Sequence, residues 1–537
     1  MTWEDPSFAS LFPDASQVPA KFRVDPAAHT PRWLVDGELR AFTGPSKPVT
    51  SRIATRTGTS LAPTVLGHEA MLTQAEAKLA VDAALRAWNG SEGEWPTASV
   101  DARVAAVERF AKEVEARTDE IATLLMWEIG KPWPSARDEV TRSVEYMRNT
   151  LAELKAMREL DARPQTGTAG AKTHYARQHR RALGVVLCVA PFNYPVNEFL
   201  TTVVPALLMG NVVLAKTPRF GVLANLALLD AFRTCFPKGV VSLLPGDGKV
   251  VIPALMSTTR LDVAGNPCGA VDVLAFIGSE GAANAILKSH PVPISLHKIL
   301  GLGAKNASVV LEGADLEAAS SALVKGALGF NGQRCTAEKL VFVQRPVAEA
   351  FLARLVAKVD ALKLGMPWEE GVAVTPLPEE AKLEWMRGYL DDATGKGARV
   401  LNAKGGQGTF SVMRPAVVYP ANKAMKLFHE EQFGPLLVVA PFDSVEEVLA
   451  WQRVSPFGQQ AAVWGPVERS ARLVHALARY VARVNYNDVC QRGPDSFGFT
   501  ATDKSGFGTL SLREAMLSFS RPVLVQSPDA AALGVLG

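Results

Sequence analysis

The chain has 537 residues, 48% of them hydrophobic and 21% charged, and 57 Lys and Arg against 54 Asp and Glu give a net charge of +3. That length supports more than one buried core, and the near balance of charge excludes a broad surface for nucleic acid or anionic membrane. Five scattered cysteines (Cys188, Cys235, Cys268, Cys335 and Cys490) form no Cys-x-x-Cys pair. Neither a metal site nor a disulfide framework is therefore indicated, and reduced thiols in the cytoplasm are expected.

The N-terminal Met1-Thr2-Trp3-Glu4-Asp5-Pro6 is acidic and lacks the apolar stretch of a secretory signal. The first sixty-odd residues, rich in Pro, Ser and Thr, read as irregular. A helical zone follows over 73–160, in which Val140, Val144, Met147, Leu151 and Leu154 recur at a 4-3-4-3 spacing and leave Arg142 off the apolar stripe. Residues 163–172, rich in Gly and Thr, read as a loop or hairpin. The most basic run, Arg177-Gln178-His179-Arg180-Arg181, is too short for a nucleic-acid stripe.

From Ala182 short β-branched runs at 184–189, 212–214, 240–244 and 273–277 alternate with helical stretches at 196–209, 222–236 and 249–256. The apolar run 184–214 is interrupted by Pro191, Asn193, Pro195, Asn197 and Glu198, so it does not read as a membrane span. The alternation predicts a parallel, doubly wound sheet. It restarts after Asn306, with strands at 308–311 and 339–343 and helices ending near 328 and 362. A second α/β unit follows from this, and residues 517–525 read as a terminal strand.

Several segments carry chemistry. In Asn331-Gly332-Gln333-Arg334-Cys335-Thr336-Ala337 a cysteine stands beside a cation; such a thiol near a helix N-terminus would have a lowered pKa and act as a nucleophile. Taken alone it also reads as a small buried hydrophobe. Ala190-Pro191-Phe192-Asn193-Tyr194-Pro195 follows an apolar strand, where the Asn193 amide could donate to a developing oxyanion or simply form a turn. The strand ending in Lys216 is followed by Arg219, a pair that could hold ribose hydroxyls and a 2′-phosphate or be two solvated cations. Phe276-Ile277-Gly278-Ser279 and the turn Pro245-Gly246-Asp247-Gly248 have the strand–glycine–helix grammar of pyrophosphate sites. Neither is a full Gly-x-Gly-x-x-Gly.

Together, in this order and with Glu430-Glu431-Gln432-Phe433-Gly434-Pro435 and Lys504-Ser505-Gly506-Phe507-Gly508, these segments resemble the aldehyde dehydrogenase superfamily over residues 73–522. Within it, Phe192-Asn193-Tyr194-Pro195-Val196-Asn197, Cys490-Gln491-Arg492-Gly493-Pro494-Asp495 and Glu139-Val140-Thr141-Arg142 are similar to the non-phosphorylating, NADP-dependent glyceraldehyde-3-phosphate dehydrogenases. The resemblance implies a cofactor unit from 1–161 and 182–300, a catalytic unit over 301–505, and an oligomerisation arm from 162–181 and 506–537. It also implies a homodimer or homotetramer acting on a small phosphorylated aldehyde.

By the same resemblance Cys335 is the nucleophile, which becomes an acyl-thioester, and Asn193 is the oxyanion donor. Phe192, Lys216, Arg219, Gly246, Gly278, Ser279, Glu431 and Phe433 hold the cofactor, and Arg142, Tyr194, Arg334 and Arg492 hold the substrate phosphate. Arg219 stands where many NAD-dependent relatives carry a glutamate, and the change of sign favours NADP. One position departs. In Leu300-Gly301-Leu302-Gly303-Ala304-Lys305-Asn306 the family's general-base glutamate falls on Gly301. Three readings follow: another group such as His297 supplies the base, an external thiol, coenzyme A or phosphate accepts the acyl group, or the chain binds nucleotide and phosphorylated ligands without turnover. Gly498 and Ile252 are smaller departures, from a proline and a glycine.

Overall fold

The structure, a computed structural model that describes residues 3–58, 60–170, 172–262 and 264–536, contains two large sheets. The first sheet contains β1 (Arg32–Val35), β2 (Glu38–Ala41), β3 (Val185–Val189), β4 (Val212–Lys216), β5 (Val241–Leu244), β6 (Val273–Ile277) and β7 (His297–Gly301), in the order β2-β1-β5-β4-β3-β6-β7, and the short strand Gly506–Phe507 lies beyond β7. The strands β5-β4-β3-β6-β7 are parallel, and the edge pairs are antiparallel. Every residue of β3, β4 and β5 is buried. Helices cover both faces, which is why these strands read as continuous Val, Leu and Ala runs rather than alternating ones.

The second sheet contains β8 (Ala307–Val310), β9 (Leu340–Gln344), β10 (Ala416–Tyr419), β11 (Leu436–Phe442), β12 (Gln460–Trp464) and β13 (Arg483–Tyr486), ordered β10-β11-β9-β8-β12-β13. Residues 302–306 carry the chain from the carboxyl end of β7 in the first sheet to the amino end of β8 in the second.

Three helices matter for the site: α1 (Trp133–Asp161), α2 (Asn197–Leu208) and α3 (Leu316–Leu328). On α1 the predicted stripe is inward, with Val140, Val144, Met147 and Leu154 buried and Leu151 packed at the margin of the same core.

The structure corrects two expectations. The first sixty residues are not irregular: beyond a series of 3-10 turns they form β1 and β2 and a long hairpin, Ser46–Thr57 with Ser60–Ala70. Bulges after Val49 and Ser51 break the alternation that would have marked its strands. The first residues also reach the second sheet's core, where Trp3 is buried and donates from Nε1 to Asp391 Oδ1 at 2.8 Å. The tail strand begins later than predicted, at Ser520, because Leu517 and Ser518 complete the helix Leu512–Ser518. Strand Ser520–Ser527 pairs with Lys172–Ala182, which pairs with Gln165–Ala169, in a largely exposed three-stranded sheet. Among the described residues no helix is long and apolar enough to cross a membrane.

Candidate active site

The strand order of the first sheet reverses between β3 and β6, and in open parallel sheets ligands bind in the crevice at the carboxyl ends beside such a reversal. Lys216 ends β4, fully enclosed; burial pulls its pKa down to about 8 against the pull of Glu69 and Asp247. Arg219, just beyond, is exposed, lies over the Phe220 ring at 4.9 Å and makes no ion pair with a described residue. It is thus a free cation at the crevice mouth. Gly278 follows β6, and Ser279 caps helix Glu280–Lys288, its Oγ accepting from the Ala282 N–H at 3.3 Å. Gly246 has φ +98°, and a Cβ there would come within 2.8 Å of the Leu72 nitrogen, so backbone geometry and space both require glycine. Phe192 packs between Phe220 and Phe433, with ring centroids 5.9 and 5.8 Å away. Glu431 pairs with Lys339 at 3.2 Å. A buried lysine, an unpaired arginine and a helix N-terminus around one crevice suit an anionic dinucleotide phosphate.

Cys335 follows the helix expected before it. It does not stand at a helix N-terminus but in the turn between α3 and β9. Phe330, Asn331 and Gly332 there take φ of 52°, 54° and 70° in succession. The left-handed region is costly for phenylalanine, and such strain is held only where surroundings over-determine it. They do so here. Asn331 Nδ2 donates to the Thr375 carbonyl at 3.0 Å, and a Cβ on Gly332 would lie 2.4 Å from the Gly434 oxygen. Lys339, almost fully buried, donates to the carbonyls of Arg334 (2.9 Å) and Cys335 (2.8 Å), and Asn306 Nδ2 donates to the Cys335 carbonyl at 2.9 Å. The expected lowering of the thiol pKa is reversed. Burial raises it and the Glu198 carboxylate raises it further, against Lys339 and Arg492.

Asn193 is buried opposite this turn, and its Nδ2 donates to the Gln333 carbonyl at 2.9 Å, two residues before Cys335. A buried ion pair fixes it. Lys131 is hydrogen-bonded to Glu139, donates to the Asn193 carbonyl at 3.2 Å and sits 3.7 Å from the Tyr194 ring centroid. The other oxygen of Glu139 accepts from the N–H groups of Val196 (3.0 Å) and Asn197 (3.1 Å) at the start of α2. The negative carboxylate thus meets the positive end of the helix.

The predicted phosphate residues converge only in part. Glu139 and Tyr146 turn one face of α1 toward the site, and Arg142, between them at helical spacing, is half-buried and bonded to no described residue. Tyr194 is engaged by Lys131 and by the edge of Phe330. Arg334 donates from Nη2 to the Gly326 carbonyl at 2.8 Å, and its buried Nε has no partner. Arg492 is hydrogen-bonded to Glu198 and lies 3.7 Å from Asp495, while its Nε and Nη2 are buried without a hydrogen bond. Burial works against the Arg492 charge, but Glu198 more than offsets it, and the guanidinium is held charged. A carboxylate inside the cation cluster is a feature the motif reading did not contain.

Gly301 ends β7 in ordinary strand backbone, paired with Ile277 and Gly506, and its carbonyl accepts from the Gly278 N–H at 2.9 Å. No turn requires glycine there, and a Cβ would meet only the Ile277 side chain, with Cγ1 at 3.3 Å, which would have to give by a few tenths of an ångström. His297 is excluded as a substitute base. It opens β7, four residues and therefore about 13 Å from Gly301, at the far end of the sheet. Burial and Arg521 both lower its pKa.

Three residues of this site escaped the motifs, Lys131, Glu198 and Lys339, and Glu139 stood in a motif segment without a role. Lys131 and Lys339 had no local signal. Glu198 had one, because it is an acid interrupting the apolar run 184–214.

The family model described as Aldehyde dehydrogenase family matches residues 55–525. The NADP-dependent glyceraldehyde-3-phosphate dehydrogenase of Streptococcus equinus is 30% identical over 464 residues, covering 85% of this chain and 93% of the relative. The enzyme of the same description from Zea mays is 32% identical over 450 residues, covering 83% and 85%. The crystal structure of the NADP-dependent glyceraldehyde-3-phosphate dehydrogenase from Bacillus halodurans C-125, complexed with NADP, superposes with a TM-score of 0.82 at 28% identity, over 93% of this chain and 99% of that one.

Proposed function

The chain belongs to the aldehyde dehydrogenase family, and on that premise we propose that it oxidises a small phosphorylated aldehyde, glyceraldehyde 3-phosphate first among them, to the acid. It is an oxidoreductase that uses NADP. The fold and the crevice residues described above suit that cofactor. Lys216 and Arg219 would hold the ribose and 2′-phosphate, Ser279 and the helix behind it the pyrophosphate, and Glu431 and Phe433 the nicotinamide end. When bound, NADP supplies the hydride acceptor.

The residues of the chain supply the rest. The Cys335 sulfur, once deprotonated, attacks the aldehyde carbon. The developing oxyanion is met by the Asn193 amide and the Cys335 N–H, donors already held in place by the Lys131–Glu139 pair and by Lys339. After hydride loss the acyl group remains as a thioester on Cys335 until water releases it.

The observation that favours a phosphorylated substrate is Arg142, a half-buried guanidinium bonded to no described residue, on the same face of α1 as Glu139 and Tyr146. A guanidinium without a partner suits a phosphate, which it can meet with two parallel hydrogen bonds. The three-stranded sheet around Ser520–Ser527 offers exposed strand edges for pairing with a second copy, as a homodimer or homotetramer would use. The described cysteines are all unpaired, in keeping with a cytoplasmic home. The test is NADPH formation with glyceraldehyde 3-phosphate against glyceraldehyde. We expect kcat/KM to favour the phosphorylated substrate by about 100-fold, the worth of two charge-assisted hydrogen bonds. Equal values would sink the phosphate reading and leave the aldehyde oxidation.

A further inference from the structure

Hydrolysis of the Cys335 thioester requires a group that takes a proton from water, and Gly301 has no side chain to do so. A general base must first be in reach and then be basic enough. Two carboxylates stand around the Cys335 turn, Glu198 and Glu431, each paired with a cation, and both oppose ionisation of the thiol. Glu431 is tied to Lys339, which holds the Cys335 turn, and it lies against Gly303 on the cofactor side. Glu198 is paired instead with Arg492, one of the candidate phosphate residues. It follows Asn193 by five residues, in the first turn of α2, and is almost fully buried.

One oxygen of Glu198 is held by Arg492. Its Oε1 accepts no hydrogen bond from a described residue and is not among the sealed, unpartnered atoms, so it is open to water. The loop carrying Arg492 is in turn fixed to the Cys335 turn, because the Cys490 N–H donates to Glu338 Oε1 at 2.6 Å. Carboxylate, arginine and thiol therefore keep a common frame.

We propose that Glu198, oriented by Arg492, is the general base that activates the water which hydrolyses the Cys335 acyl-thioester. Glu198 Oε1 takes one proton as the water oxygen bonds to the acyl carbon. The carbon–sulfur bond then breaks, the electron pair leaves with Cys335 as thiolate, and the product departs as a carboxylic acid that ionises. Glu198 returns its proton to solvent. Arg492 is a positioning residue in this step. The assignment rests on the thioester reading above but not on the identity of the aldehyde.

The test isolates deacylation. An activated ester such as p-nitrophenyl acetate acylates a cysteine thiolate without any cofactor, so the full-length protein is followed with it in the absence of NADP. Wild type should release nitrophenolate continuously. Glu198→Gln, which keeps the hydrogen bond to Arg492 but not the basicity, should give a burst of about one equivalent and then a steady rate lower by about 10²–10⁴-fold. Mass spectrometry should find one acetyl group on Cys335. The burst itself shows that the variant site is folded, and Glu198→Asp should recover part of the steady rate.

An unchanged steady rate in Glu198→Gln overturns the proposal. So does loss of the burst together with the rate, which would make Glu198 only a structural partner of Arg492. Acceleration of the wild-type steady rate by coenzyme A or phosphate would assign release to an external acceptor instead. Failure of glyceraldehyde 3-phosphate to yield NADPH while ester turnover behaves as stated would remove the substrate reading alone.

Discussion

Removing charge from the Lys131–Glu139 pair tests how the fold holds Asn193 in place. Both side chains are almost completely buried, at 1% and 0% exposure. Glu139→Gln preserves the Oε1 that accepts from Val196 and Asn197 but leaves the Lys131 ammonium without its anion. Breaking a buried pair from one side costs about 3–5 kcal/mol. The remaining bond to the Asn193 carbonyl at 3.2 Å and the Tyr194 ring at 3.7 Å compensate in part. We therefore expect about 3 kcal/mol.

Lys131→Met should cost less, about 2 kcal/mol, because Glu139 keeps two backbone donors at the α2 N-terminus. In the double variant no charge is left unpaired, and its loss should fall short of the sum by about 2 kcal/mol, the coupling of a contacting pair. The assay is a urea-unfolding cycle, with hydrogen exchange of the Val196 and Asn197 amides as the local readout. In Glu139→Gln kcat should fall about 10-fold or more, since the Asn193 donor would no longer be fixed. An additive cycle, or amide exchange unchanged in both single variants, would refute the reasoning.

Arg219→Ala should weaken NADP binding about 10-fold and leave NAD binding unchanged, measured by calorimetric titration; the low end applies because the guanidinium is exposed and hydrated. Lys216, protonated below its pKa of about 8, should make NADP affinity fall as pH rises through that value, and the pH slope should vanish in Lys216→Met. Glu128 is fully enclosed, and burial raises its pKa from 4.5 to about 8 against the Ala224 and Leu223 N–H groups it accepts from. A raised acid binds its proton more tightly in the folded state. Its contribution is therefore complete below pH 4.5 and lost as pH rises through about 8, by at most about 5 kcal/mol. Glu128→Gln should flatten that decline in a series of denaturation curves from pH 5 to about pH 9.

Much of the fold was legible because its signals are local. The Val, Leu and Ala runs of β3, β4 and β5 sit between glycines and prolines, and two covered sheet faces write such runs into any chain. The bulged hairpin at Ser46–Thr57 was not legible, since its irregular pairing breaks the period of two. The segments around Asn193, Lys216, Gly278 and Cys335 could likewise be picked out singly, each a short motif at the end of a strand or a turn.

What those segments do to one another is a matter of tertiary structure. The sequence by itself determined the two α/β units, the cysteine beside a cation and the glycine where a base was expected. Only the folded chain placed Glu198 against Arg492, 294 residues away, and Lys131 under Asn193. Only the fold decided that the Cys335 pKa is raised rather than lowered. The physical reason is the same in each case. Burial and charge at a point are sums over every segment packed around it, and a linear motif carries only its own share of that sum.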